Sequence, residues 1–493
     1  MGMGERVSGR NGRVALLALV LAASWSSGAW AGGAPYVISP DLASAPRNSA
    51  SSPEYLTTAG NKVFFLATTP LAGTELWVTD GTEEGTFMVR DIGPGKNSGN
   101  VIDDFEVMGE RLFFVASLDS TGDELWVSDG SPEGTYLIKD IYRGPDGSSV
   151  EYLTAADGVL YFTANDGTRG QELWKSDGTE AGTVIVRDIT SGSDGSNVSS
   201  MIAVGSGVFF NASTPKTGDE LWKSDGTGKG TVMIKDINAG VEDSSPEMMF
   251  VVEGNTFPYI PKVFFRANDG TNGNELWVSS GAAEDTTLFK DINVGAGSSL
   301  PDDFAALGDD AFVFVADNGV DGRELWKSDG TPANTVLVKN IEVGAASPNI
   351  RDMTVAGNKV FFVATTNTYG AELWKTDGTT KGTALVKDIK AGSSDSNIFD
   401  MTWSGNSLYF GADDGVNGKE FWKTDGTAAG TVLVKDIVPG SNGSSINYGA
   451  MAGSTVIFDA WQSQYDSELW RSDGTEAGTV LLKDISASYI EYL

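Results

Sequence analysis

The side chains in this sequence with chemistry to offer are carboxylates, and they return at fixed positions. One set of aspartates opens an Asp-Gly-Thr (once Asp-Gly-Ser) turn: Asp80, Asp129, Asp177, Asp225, Asp329, Asp377, Asp425 and Asp473. A second set stands between Lys or Arg and Ile, as in Asp140, Asp188, Asp236, Asp291 and Asp436, with Asn340 taking the place once. Glutamates such as Glu172 and Glu220 head a Glu-Leu-Trp tripeptide. The 493 residues contain no cysteine and no histidine. That removes disulfides, thiolate and imidazole metal ligands, and every nucleophile–base pair built on Cys or His. What remains is oxygen chemistry: ligation of a hard cation, or acid–base work by paired carboxylates.

Each set also has a structural use. The turn aspartates can accept backbone N–H bonds within a tight hairpin loop. The glutamates lie near the lysines of Trp-Lys-Ser and Val-Lys-Asp, which suits cross-strand ion pairs. The aspartates before Ile begin a crossing, where they can cap loop amides. Calcium is the sharper alternative, because loops such as Asn165-Asp166-Gly167 and Asp413-Asp414-Gly415 should emerge beside those crossings. The candidate ligands are Asp166, Asp188, Asp269, Asp291, Asp413, Asp414 and Asp436. No loop completes the Asp-x-Asp/Asn-x-Asp/Asn-Gly calcium pattern. No other cofactor is expected, since zinc, copper or iron would find only oxygen ligands. A glycosidase's two carboxylates should break the repetition, and no copy shows a singular acidic cluster. We therefore expect no catalytic residues and no enzymatic activity.

The elements that hold these residues are read from the tryptophans. They recur at Trp77, Trp126, Trp174, Trp222, Trp277, Trp326, Trp374, Trp422 and Trp470, spaced 48 or 49 apart except for one interval of 55. Residues Thr256 to Pro261 account for the long interval. Each unit predicts four short strands, a to d; in the third they fall near 150–155, 159–163, 172–176 and 184–189. β-Branched and aromatic residues fill these runs, and Gly, Asn, Asp and Ser punctuate them. Four strands at a period near 48 are the mark of a propeller blade. The fold class is all-β, a single β-propeller of about nine four-stranded blades over residues 32–493. Strand b is apolar at consecutive positions, which predicts burial on both faces. Each motif tryptophan should fill the space between neighbouring blades. The fifth copy is the weakest, with Ser280, Ala282 and Asp285 where its sisters have Asp, Thr and Gly.

The repeat Glu172-Leu173-Trp174-Lys175-Ser176-Asp177-Gly178-Thr179 resembles the ELWxxDGT repeat of secreted bacterial proteins, over about residues 36 to 485. That resemblance implies a propeller-like repeat fold and no assigned activity. It is also loosely similar to the Asp-box of sialidases, which occupies a c–d hairpin and is structural there.

Residues 1–31 read as a signal peptide: Arg6, Arg10 and Arg13, then an apolar stretch, then Ala29-Trp30-Ala31. No later segment holds 18 consecutive apolar residues, so no membrane insertion is expected after cleavage. A secreted, extracellular or periplasmic protein follows. The net charge of −33 disfavours a nucleic-acid partner. Tyr36-Val37-Ile38 resembles an orphan strand d, and 491–493 echoes the start of strand a; either can help close the ring.

The expected role is a binding module presenting a multivalent face to a cell-surface or matrix carbohydrate or an exported protein, with a purely structural matrix role as the alternative. The b–c loops vary while the hairpin turns do not, so ligand contacts are expected from the b–c face. Trp461 and Tyr465, which bracket Gln462-Ser463-Gln464, and Tyr369 are the candidate contacts.

Overall fold

The structure, a computed structural model, describes residues 50–93, 101–253, 260–308, 311–463 and 466–485. The expected signal segment, the strand at 36–38, Tyr465 and residues 491–493 lie outside them. Nine antiparallel sheets each contain four consecutive strands in the order a-b-c-d. In the third blade these are Glu151–Ala156, Val159–Asn165, Gln171–Ser176 and Val184–Arg187. Strands a of successive blades are neighbours all the way round, and the first meets the ninth. The protein is a nine-bladed β-propeller with strand a lining the central channel.

The core lies between blades. Phe64, Phe65, Phe113, Phe114, Phe162 and Phe210 of strand b are fully buried, so neighbouring positions on one strand pack against opposite neighbours. All nine motif tryptophans are 3–7% exposed. Trp174 packs on Phe113, Leu125 and Ile138 of the preceding blade, and Trp77 packs on Ile457 and Leu469 of the ninth.

The c–d hairpin explains its own sequence. Asp177 Oδ1 accepts the Thr179 amide at 2.9 Å and the Thr179 hydroxyl at 2.7 Å, and the other seven turn aspartates do the same with the residue two on. These bonds, led by that from the hydroxyl, hold the Asp177 carboxyl below its usual range. A Cβ on Gly182 would lie 2.1–2.5 Å from the Asp177 carboxylate, which is why glycine recurs there. The fifth blade solves the same problem inverted. Ser280 shortens the first side chain, and its hydroxyl donates to Asp285, placed where seven of the other eight blades have glycine, at 2.8 Å. The weakest copy is thus a complete blade.

The motif glutamates correct the expectation of ion pairing. All nine are 0–1% exposed, and Glu124, Glu172, Glu220, Glu275, Glu324, Glu372 and Glu420 form no salt bridge among the described residues. Glu172 instead accepts the amides of Ile189 (2.9 Å) and Thr190 (3.2 Å) and the hydroxyl of Ser196 (2.7 Å). The chain leaving strand d is thereby fastened to strand c, and the serine that precedes the next blade is fastened with it. Glu220, Glu275 and Glu420 repeat the arrangement with Ser244, Ser299 and Ser444. Burial pushes Glu124, Glu172, Glu220, Glu324 and Glu372 up to about 7, against the opposing pull of these donors.

The same latch closes the ring. Ser51 Oγ donates to Glu468 at 2.8 Å, and the amides of Ser51 and Ser52 donate to Ser467 O at 3.1 Å. Lys483 and Arg471 of the ninth blade reach carbonyls of Thr86 and Gly81 in the first. Among the described residues every sheet is built from four consecutive strands.

Candidate functional site

One layer of the blades does not repeat. It lies at the b–c end, where each strand a begins, and takes three neighbouring positions per blade. These are the first residue of strand a, its partner in the middle of strand b, and the residue before the Glu-Leu-Trp glutamate. In the third blade they are Glu151, Thr163 and Gln171; the glutamine amide donates to Thr163 Oγ1 at 2.8 Å. In the fifth they are Glu247, Arg266 and Asn274, with an ion pair between the first two. In the sixth, Asp302 pairs with Arg323 across Val315. Directly beyond, strand a carries a bulge: Tyr55, Tyr152, Met248, Asp352 and Asp400 have φ of 52–58°. Non-glycine residues held in this left-handed region mark a locally strained channel wall.

The eighth and ninth blades carry the most unusual chemistry. Asp459 stands where its sisters have Leu66, Val363 or Gly411, and is 4% exposed. Ser467 Oγ and, at 3.5 Å, Asn447 Nδ2 donate to it. Burial raises its carboxyl to about 7; Glu54 pushes the same way and Lys419 opposes. Lys419 lies over the Phe399 ring, 2.8 Å from its centroid, and that ring sits against Gly411, where a Cβ would meet it at 3.4 Å. Burial lowers its amine to about 8, against Asp400 and Asp459. An acid and a base that both titrate near neutrality can hydrogen-bond a polar ligand in either sense or pass it a proton. This cluster corrects the expectation that no copy breaks the carboxylate symmetry. Comparing the nine residues at the Asp459 position is the signal that would have found it.

The sequence candidates distribute as follows. Trp461 is half-buried, two residues beyond Asp459 on the same strand face, and pairs across the ladder with Ser467. Tyr369 is half-buried two blades away, its amide donating to Thr366 Oγ1; no ring contact joins the two. Tyr465 lies outside the described residues. A hollow of about 400 Å³ inside the channel is lined by Tyr55, Asp104, Phe105, Asp400, Met401 and Gly449. A larger cleft of about 680 Å³ lies on the opposite face, between the sixth and seventh blades. Its walls include Asp329, Asp377 and Thr379, whose polar atoms are already engaged within the turns.

The proposed calcium ligands do meet as expected in one respect: b–c loops pack against the crossing from the preceding blade. Asp140 and Asp166 share a hollow of about 580 Å³, but Lys139 and Arg143 line it too. Arg169 pairs with Asp166 and lies 4.0 Å from Asp188, and Lys390 pairs with Asp413 at 2.6 Å. Asp269 and Asp414 each accept two amides and an asparagine side chain. Asp291 accepts the Gly295 amide, as Asp236 and Asp388 accept theirs. Asp436 faces its own crossing with one buried oxygen unbonded. No group of three acidic side chains converges on one point among the described residues; the loop aspartates serve protein donors, whereas one oxygen each of Asp140, Asp188, Asp236, Asp291, Asp388 and Asp436 is buried without a hydrogen-bond partner. Asn340 is explained by its partner: its amide donates to Asp321 Oδ1 at 2.9 Å, where the loops of the third, fifth and eighth blades carry Arg169, Asn272 and Asn417.

No protein-family model and no curated protein sequence matches the chain. Among solved structures it is similar to prolyl endopeptidase (11% identity, TM-score 0.40, 75% of this chain and 55% of that one). It is also similar to puromycin hydrolase (16%, 0.36, 75% and 60%). Oligopeptidase B from Leishmania major is a third (9%, 0.42, 76% and 53%). The chain therefore spans little more than half the length of each. At these identities the likeness is one of fold alone and brings no activity or site residue with it. It does correct one expectation. The absence of enzymatic activity, drawn from the lack of a singular acidic cluster in any copy, is withdrawn: the solved proteins of similar fold include peptidases and a hydrolase.

Proposed function

We propose that this is an exported binding protein of the ELWxxDGT-repeat kind, whose b–c face recognises a carbohydrate or protein of a cell surface or matrix. The observation that supports it most is the division of labour within each blade. The buried latch glutamate and the interblade tryptophan recur in all nine blades and the hairpin aspartate in eight, whereas the three rim positions change their chemistry from blade to blade. Identical frames need identical residues; a surface free of that demand is where recognition is placed in rigid scaffolds. Because the rim does not repeat, the reading favours one composite face over nine equal sites. Trp461, Asp459, Asn447 and Ser467 together offer an aromatic plane beside carboxyl, amide and hydroxyl groups, a usual means of holding a sugar or a polar side chain.

The test is the double variant Trp461→Ala, Asp459→Asn, applied to whole cells, extracellular matrix and a glycan array. Loss of binding with an unchanged melting curve is expected. Full binding by the folded variant would end the reading.

A further inference from the structure

The most exposed large apolar side chains among the described residues gather on one arc of the b–c face. Val241, Val294, Val320, Val343 and Val416 are 66%, 85%, 72%, 89% and 70% exposed. They occupy four successive blade junctions, from the fourth and fifth blades to the seventh and eighth. Contacts across those junctions fix their supports. A Cβ on Gly319 would meet Asn293 Oδ1 at 2.6 Å, so the segments bearing Val294 and Val320 touch. Glu342, beside Val343, accepts the Asn367 side-chain amide at 2.6 Å. Gly415, beside Val416, packs on Lys390.

The fold does not ask for valine at these places. Sister loops use Thr168 and Thr271 where Val320 and Val416 stand, and sister crossings use Arg143, Ser191, Ala239 and Ala391 at the position of Val294 and Val343. The repeats thus supply their own control: the same backbone carries Thr168, Arg143 and Ser191 outside the arc, and Thr271, Ala239 and Ala391 at its two ends. Around the arc the charge is acidic. Glu242, Asp243 and Asp395 are exposed and Asp317, Asp321 and Glu342 half-buried, while the bases Arg323 and Lys390 are tied to Asp302 and Asp413.

Resting on the binding role proposed above, we infer that this valine arc is a docking surface for a polypeptide that carries lysine or arginine alongside aliphatic side chains. The aliphatic groups cover valines that water otherwise surrounds, and the basic groups answer the unpaired carboxylates.

The test uses the full chain and two synthetic probes of equal charge: an amphipathic lysine–leucine peptide and oligolysine. The amphipathic peptide should bind more tightly, and the triple variant Val294→Ser, Val320→Ser, Val343→Ser should weaken it about tenfold or more. Binding of oligolysine should not change. A control pair on the outer strands, Val336→Ser and Val432→Ser, should leave both unaffected. Equal affinity for the two probes, or an unaltered triple variant, would overturn the arc while leaving the rim around Trp461 to its own test. Preference for phosphatidylcholine vesicles over the peptide would overturn the arc as well. Loss of peptide binding in the outer-strand control alone would move the binding surface off the b–c face and so overturn both readings.

Discussion

Two layers of the same blade lie side by side at the b–c end, where rim Gln171 directly precedes latch Glu172, and they obey different rules. In the latch layer a buried glutamate takes the same two amides and one serine in blade after blade. In the rim layer the corresponding cross-strand positions hold an ion pair, an amide–hydroxyl bond, a cation over a ring, or a buried acid. The difference teaches where selection for folding stops. A group that must satisfy buried backbone donors has few substitutes, whereas the rim positions bond side chain to side chain and can change both partners together from blade to blade.

The largest expected effect lies deep in the constant part. Trp222→Ala should cost roughly 3–5 kcal/mol, as for other buried aromatics, because Trp222 fills the space against Tyr161, Leu173 and Val186 of the third blade. A melting curve superimposable on that of the parent would break the comparison at once.

Next comes the latch itself. Glu220→Ala strands the amides of Ile237 and Asn238 and the Ser244 hydroxyl, which should cost about 2–4 kcal/mol. Glu220→Gln keeps an acceptor and should cost less. Urea unfolding of the two variants, with Asp459→Asn as the rim counterpart, sharpens the contrast between layers; equal losses in all three would blur it.

The latch also predicts how stability follows pH. Five of these glutamates have folded-state values near 7, above an ordinary 4.5. A value raised by folding stabilises fully below the ordinary value and loses that contribution as pH rises through 7. The turn aspartates are shifted the other way and lose theirs only as pH falls below the ordinary aspartate range. Thermal stability should therefore peak in mild acid, near pH 5, and decline towards pH 8. Relief of the −33 net charge acts in the same direction, so the scan belongs at about 0.5 M salt, where exposed charges are screened and buried ones are not. Stability rising steadily to pH 8 would show the latch to be unimportant to it.

The smallest effect on stability belongs to the rim. Lys419→Ala should shift the melting temperature by no more than a degree or two, since the ammonium makes no ion pair among the described residues. Its consequence should appear in binding.

Much of the constant layer was legible in the sequence because it is local. Asp177 finds its partner two residues on, and the tryptophan period alone counts the blades. The glutamates were misread because their partners are 17, 18 and 24 residues away, while lysines stand near in sequence. The clue was present: Ser148, Ser196, Ser244, Ser299, Ser396 and Ser444 each follow a motif glutamate by the same interval. The Asp459 cluster was harder, since it joins three strands and reaches Lys419 of another blade. Only the oddity of an acid inside a buried strand points to it. Ring closure through Ser51 and Glu468 could not be read from local pattern, because the two residues are separated by 417 positions.

The most direct test pairs one substitution from each layer and reads binding and stability together. The rim double variant Trp461→Ala, Asp459→Asn is set beside the hairpin variant Asp425→Ala, which removes the acceptor of the Thr427 amide and hydroxyl. Both are measured for whole-cell or matrix binding and for thermal unfolding. The expected result is a crossed pattern: the rim variant melts like the parent and loses binding, and the hairpin variant melts lower and still binds. A rim variant that binds fully, beside a hairpin variant that melts normally but fails to bind, would contradict the assignment of folding to one layer and recognition to the other.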